Sequence, residues 1–246
     1  MAKYKILTLT LLVATSAFGA FGDVISSFPM APQLLYSHGL TWDGAYLWSC
    51  DNLFIYRLTT VGSIVSSFKI WEGPQYQNLW GLAYDGSYLW VSEWTNHNDP
   101  TSVIRCTTSG SHVANFKIYE FYDGGLTWDN GYVWVDGRKY TTNGSLVSSF
   151  SIGGPRFRDS AFVGHNIWAS GPDLTYVYEW TTTGSCVASF PSPDGGQPTG
   201  KTFDGQYLWF VSSYAKASYP YYAYQIDIGV VGVDPASFGE VKALYR

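Results

Sequence analysis

A ten-residue phrase recurs five times in this chain and limits its fold more than any other feature. It reads GLTWDGAYLW at 39–48, GLAYDGSYLW at 81–90, GLTWDNGYVW at 125–134, DSAFVGHNIW at 159–168 and GKTFDGQYLW at 200–209. The copies start about 40 residues apart, a period that belongs to repeat architectures. A second phrase, T-T-x-G-S, interleaves with it at 59–63, 107–111, 141–145 and 181–185, and each copy runs on into a segment ending in Phe: SIVSSF, SHVANF, SLVSSF and SCVASF. In the first phrase an apolar strand meets a D-G or N-G pair, the strongest short hairpin signal, and resumes as Y-L-W. In the second, Gly before Ser supplies the positive φ that a tight turn needs. Each unit therefore reads as four antiparallel strands: a (GLTW), b (YLWV), c (for example FIYRL) and d (IVSSF). Four strands in each such unit describe a propeller blade.

The blade count follows from two complementary gaps. GDVISSFPM at 22–30 aligns without gaps on GSIVSSFKI at 62–70, a strand d with no a, b or c ahead of it. After the last strand c (YYAYQIDI, 221–228) no Phe-ended strand appears. The orphan fits the vacancy, so the sequence predicts an all-β, five-bladed β-propeller of four-stranded antiparallel blades, closed by an N-terminal strand in the last blade. Closure removes the exposed edges a linear repeat would leave.

The ends read differently. Lys3 and Lys5 precede an apolar run from Ile6 to Phe18 and small residues at Ala17, Gly19, Ala20 and Gly22. That is the pattern of a secretory signal peptide, and the run is too short for a membrane span. The expected division is a signal peptide over 1–22, the propeller over 23–229 and a tail over 230–246, with the mature protein secreted, extracellular or periplasmic. In the tail, Ser237 and Glu240 form a capping box after Asp234-Pro235, which predicts a short helix.

Composition narrows the function classes. With 18% aromatic and 13% charged residues, the chain is a folded one and not a disordered polyelectrolyte. A net charge of −5 without a run of Lys or Arg argues against nucleic acid and anionic bilayers as partners. The three cysteines, Cys50, Cys106 and Cys186, form no regular disulfide framework and read as blade-packing residues. The four His are isolated and no C-x-x-C spacing occurs, so neither a metal nor a cofactor is expected.

Residues that recur in every unit read as scaffold. Trp48, Trp90, Trp134, Trp168 and Trp209 occupy one position of strand b and should fill the space between blades. Asp43, Asp85, Asp129 and Asp204 sit at the a–b turn, where a carboxylate can bond nearby backbone, and Val163 takes that place in the fourth unit.

Variation marks the other face. The a–b and c–d turns keep their lengths, whereas the b–c and d–a connections wander, and in a propeller these lie together on one face. Their aromatics do not recur between units. Trp71, Trp80, Trp94 and Tyr122 are the expected stacking groups of a ligand site, with Asn78, Glu93 and Asp123 as hydrogen-bonding groups. Further polar residues, Asp159 and Lys201 among them, read as part of the same loops. Flat aromatic faces beside planar polar groups suit a sugar ring, and they suit a protein interface as well. No residue is assigned a catalytic role. An enzyme would need two acids within reach of one bond, from Glu93, Asp51, Asp136 and Asp123.

The phrase G-L-[TA]-[WY]-D-[GN]-x-Y-[LV]-W, with its Ser-Phe-ended d strand, resembles the repeats of secreted bacterial β-propellers of the NHL or glutamine-cyclotransferase-like kind. The resemblance covers 22–229. It implies five blades, and for the enzymes of that kind it implies cyclisation of N-terminal glutamine by an acidic residue close to the first blade. The corresponding stretches here, YSHGLTWDG and SCDNLF, hold no Glu. The architecture also resembles five-bladed lectins of the tachylectin type. The leading reading is a secreted or surface binding module for a glycan or a protein, with an extracellular enzyme and a structural surface protein as alternatives.

Overall fold

The computed structural model describes residues 20–34, 37–70, 78–94, 100–118, 124–151, 159–171, 173–213 and 220–229, with the side chain of Trp94 excepted. The leader and the tail helix expected from sequence fall outside these residues, apart from Ala20, Phe21 and Gly22. Strand β1 (Val24–Pro29) comes first. Blade 1 holds β2 (Gly39–Trp42), β3 (Leu47–Cys50), β4 (Ile55–Leu58) and β5 (Ile64–Phe68). Blade 2 holds β6 (Asn78–Tyr84), β7 (Leu89–Trp94), β8 (Thr101–Cys106) and β9 (His112–Ile118). Blade 3 holds β10 (Leu126–Asp129), β11 (Tyr132–Val135), β12 (Arg138–Thr141) and β13 (Leu146–Ser149). Blade 4 holds β14 (Ser160–Val163), β15 (Asn166–Ser170), β16 (Tyr176–Thr181) and β17 (Cys186–Pro191). Blade 5 holds β18 (Gln197–Phe203), β19 (Leu208–Ser213) and β20 (Tyr222–Ile226), and takes β1 as its fourth strand.

The chain is a five-bladed β-propeller, as the repeat predicts. β1 lies antiparallel to β20, from Val24 opposite Ile226 to Pro29 opposite Tyr222. One contact recurs around the ring and explains the second sequence phrase. In each c–d turn a positive-φ glycine presses on the Phe that ends the preceding blade's strand d. A Cβ at Gly62 would stand 2.5 Å from the Phe28 ring, one at Gly110 2.5 Å from Phe68 and one at Gly144 2.8 Å from Phe116. Gly184 meets Phe150 in the same way, and Gly22, just ahead of β1, meets Phe190. The orphan strand therefore completes the ring with the same device as the other blades.

Burial falls from the axis outward. The innermost strands are buried along most of their length, while outer strands such as β5 and β13 are exposed. The five recurring tryptophans are all buried between blades. Each pairs with the Phe of its own strand d, at ring-centroid distances from 5.7 Å for Trp134–Phe150 to 6.4 Å for Trp90–Phe116.

The turn aspartates do two jobs at once. Asp43 Oδ1 accepts the N–H groups of Ala45 and Tyr46, and Oδ2 accepts Trp48 Nε1 at 2.7 Å. Asp85 and Asp204 repeat this pattern with Trp90 and Trp209. The strand-c residue opposite the Trp is matched to the charge: Arg57, Arg105 and Lys139 face Asp43, Asp85 and Asp129. In blade 4, where Val163 removes the carboxylate, that residue is Glu179, which accepts from Asn166 Nδ2.

Two expectations need correction. Cys50 and Cys106 do pack between blades 1 and 2, but Cys186 is exposed on outer strand β17, because the side chains of a strand d have no further blade outside them. Asp159, just ahead of β14, and Lys201, within β18, are not on an open loop surface; both are buried near the axis. Among the described residues no helix is long and apolar enough to cross a membrane.

Candidate functional site

The five innermost strands converge at the first residue of the phrase. Four of these residues are glycines, and at three of them nothing larger fits: a Cβ at Gly39 would lie 2.8 Å from Leu82 N, at Gly81 2.5 Å from Gly124 O, and at Gly200 2.8 Å from Leu40 N. Blade 4 departs from the rule with Asp159. Its carboxylate crosses the axis and accepts the backbone N–H of Leu40 at 2.9 Å, of Leu126 at 3.0 Å and of Lys201 at 3.0 Å. One side chain thus ties blade 4 to blades 1, 3 and 5. Innermost strands present an unpaired backbone edge to the channel, and buried N–H groups must find acceptors. Burial raises the Asp159 carboxyl above the usual range, against the pull of those three donors. Lys201 Nζ, equally buried, donates to Ser170 Oγ at 3.0 Å and to the carbonyls of Pro198, Thr199 and Asp159 at 2.8, 2.9 and 3.3 Å. The sequence did carry a signal for this plug, since Asp stands where the other four copies have Gly.

Toward the a–b turns the channel widens into a funnel of about 150 Å³, ringed by Trp42, Tyr84, Trp128, Phe162 and Phe203, the fourth residue of each phrase. These aromatics also serve the cores between blades; Trp128 stacks on Trp90 at 5.8 Å and 18°.

On the opposite face lie those of the expected ligand residues that the structure describes. Innermost strands β6 and β18 are longer than the other three, and each is irregular, between Leu79 and Leu82 and between Pro198 and Lys201. Such bulges re-aim side chains. The one in β6 falls at Trp80, whose ring lies on His38 of blade 1 at 4.1 Å and 31°. His38 Nε2 meets Asn52 Oδ1 at 3.2 Å, which holds the imidazole under the indole. Trp80 is half-buried, and its Nε1 is enclosed with no partner among the described residues.

Glu93 pairs with Leu79 on β6, and Leu79 packs in the core between blades 1 and 2. The half-buried Glu93 carboxyl is raised by burial, opposed by Lys117. Asn78 pairs with Trp94 one step further along the same two strands. The structure therefore brings Asn78, Trp80, Glu93 and the backbone of Trp94 together at one end of blade 2. Trp71, Tyr122 and Asp123 lie outside the described residues. Of the acids considered for catalysis, Asp51 is taken up by its turn, accepting from Leu53 N, Phe54 N and the Tyr56 hydroxyl.

Comparison with solved structures supports the architecture. The crystal structure of glutaminyl cyclase from Myxococcus xanthus superposes with a TM-score of 0.63 at 13% identity, covering 84% of this chain and 98% of that one. A protein of unknown function from Bacteroides caccae gives 0.50 at 13% identity over 78% of each chain. A chain of a nidogen–laminin complex gives 0.50 at 11% identity over 72% of each. The likeness is one of fold. In sequence, no family model and no curated protein matches the chain.

Proposed function

We propose that the protein is an exported binding module that recognises a glycan on its b–c/d–a face, at the end of blade 2. Trp80 carries the reading. A bulge and the His38 ring hold its indole at a half-buried position, and Nε1 is a donor without a partner among the described residues. The exposed part of the indole is a flat apolar face, which fits the C–H face of a pyranose. Asn78 supplies further polar groups, and the Glu93 carboxyl, raised by burial, adds two oxygens. Trp71, Trp94, Tyr122 and Asp123 belong to the same proposal from their places in the sequence. The basic and apolar start of the chain supports export.

A glycan array probed with the wild-type protein and with Trp80→Ala tests the reading. Glycan binding lost in Trp80→Ala, with folding intact, supports it. Binding that survives the substitution, or an array with no hit, refutes it. The enzyme reading needs two of Glu93, Asp51, Asp136 and Asp123 within reach of one bond, and Asp51 is committed to its turn.

A further inference from the structure

We propose that the chain is cut between Gly19 and Ala20, and that the α-ammonium freed on Ala20 pairs with Asp23 to lock the last blade. The inference rests on the leader reading of the start of the chain and not on the nature of the ligand.

Ala20 to Asp23 belong to the closure of the ring. Ala20 N donates to Asp23 Oδ2 at 2.6 Å, and Asp23 N donates back to Ala20 O at 2.9 Å. Gly22 N donates to Asp227 O at 2.7 Å, and Asp227 N donates to Asp23 O at 2.9 Å. The Phe21 ring packs on Trp168 and Phe190 of blade 4, at 6.1 and 5.9 Å. Gly22, with φ of 89°, takes the position against Phe190 that the c–d turn glycines take in the other blades. A leader ending at residue 22 would remove the Phe21 contacts and place the new terminus inside this seam.

The sequence offers a cut just upstream. Ala17 and Gly19 put small residues one and three positions before the Gly19–Ala20 bond, the pattern leader peptidases read. Hydrolysis adds water across that bond, leaving a carboxylate on Gly19 and an amine on Ala20. An α-amine titrates near about 8, so it carries a proton at neutral pH. The same nitrogen already stands 2.6 Å from the Asp23 carboxylate. Cleavage thus puts a positive charge on the donor of a bond whose acceptor is already an anion, and makes it an ion pair. A cut after Ala17 would leave Phe18 and Gly19 in place and the nitrogen an amide.

The full chain is expressed in an exporting bacterial host, and the exported product is read by N-terminal sequencing and intact mass. Ala20 as first residue is the expected result. A product that begins at Phe18 or Asp23, or that retains the leader, overturns the proposal. Asp23→Asn is then compared in the exported protein and in a cytoplasmic version carrying an initiator Met and Gly19 ahead of Ala20. The melting temperature should fall by about 1 to 3 °C in the first and by less than half of that in the second. Equal falls overturn the ion pair.

Discussion

Asp159 Oδ2 accepts the backbone N–H of Leu40 at 2.9 Å, across 119 residues of sequence. This bond joins blade 4 to blade 1 through the axis, and the same carboxylate also reaches blades 3 and 5. Asp159→Gly restores the repeat's own residue yet should destabilise the protein by about 2 to 5 kcal/mol, because three buried N–H groups lose their acceptor. Urea denaturation at neutral pH measures it. A change below about 0.5 kcal/mol, the level of an ordinary surface substitution, would show that the tie carries no stability.

Closure by β1 predicts the effect of deletion. Without residues 20–29, β20 is left as an open edge and Gly62 loses Phe28. Edges of this kind pair with other chains. The shortened protein should unfold or elute as oligomers in size exclusion. A monomer with the parent melting temperature would mean that the strand is not needed to close the ring.

Cysteine reactivity follows burial. The buried Cys50 and Cys106 thiols are raised by desolvation, Cys106 to about 12, whereas Cys186 is exposed. Iodoacetamide should add once to the native protein, at Cys186, as read by peptide mass. All three are free, so adding reductant should leave the melting temperature unchanged. A clear fall would reveal a bridge, since losing one typically costs about 2 to 5 kcal/mol.

Trp90 and Trp80 separate scaffold from site. Trp90 is buried between blades, and Trp90→Ala should cost roughly 3 to 5 kcal/mol. Trp80 is half-buried on the loop face, so Trp80→Ala should cost clearly less while abolishing ligand binding. Thermal melts beside binding measurements decide; equal destabilisation would assign Trp80 to the core.

Glu93 gives a pH signature. Its folded value is raised by burial, so the neutral form is favoured in the folded state. The stability it contributes is fully present below the unfolded value of about 4.3 and is lost as pH rises through the higher folded value. Glu93→Gln, which stays neutral, should gain stability relative to wild type between acid and neutral pH. Melting curves across that range check the sign, and parallel curves would place Glu93 in solvent.

The sequence by itself determined the blade. The D-G turns, the T-T-x-G-S turns and the recurring Trp and Phe are local or repeated constraints, so their spacing was enough to set four strands per unit, five units and the closing strand. Val163 was legible as an exception, but its compensation by Glu179 was not, because that depends on which residues face each other across β15 and β16. Only the tertiary structure decided the fate of Asp159 and Lys201, which lie where the connections of variable length begin yet are buried at the axis. The same holds for Trp80, whose direction is set by a bulge and a neighbour in another blade. Period fixes what repeats along the chain; a side chain that crosses the axis is placed by strands far away in sequence, and no local pattern records where those strands meet.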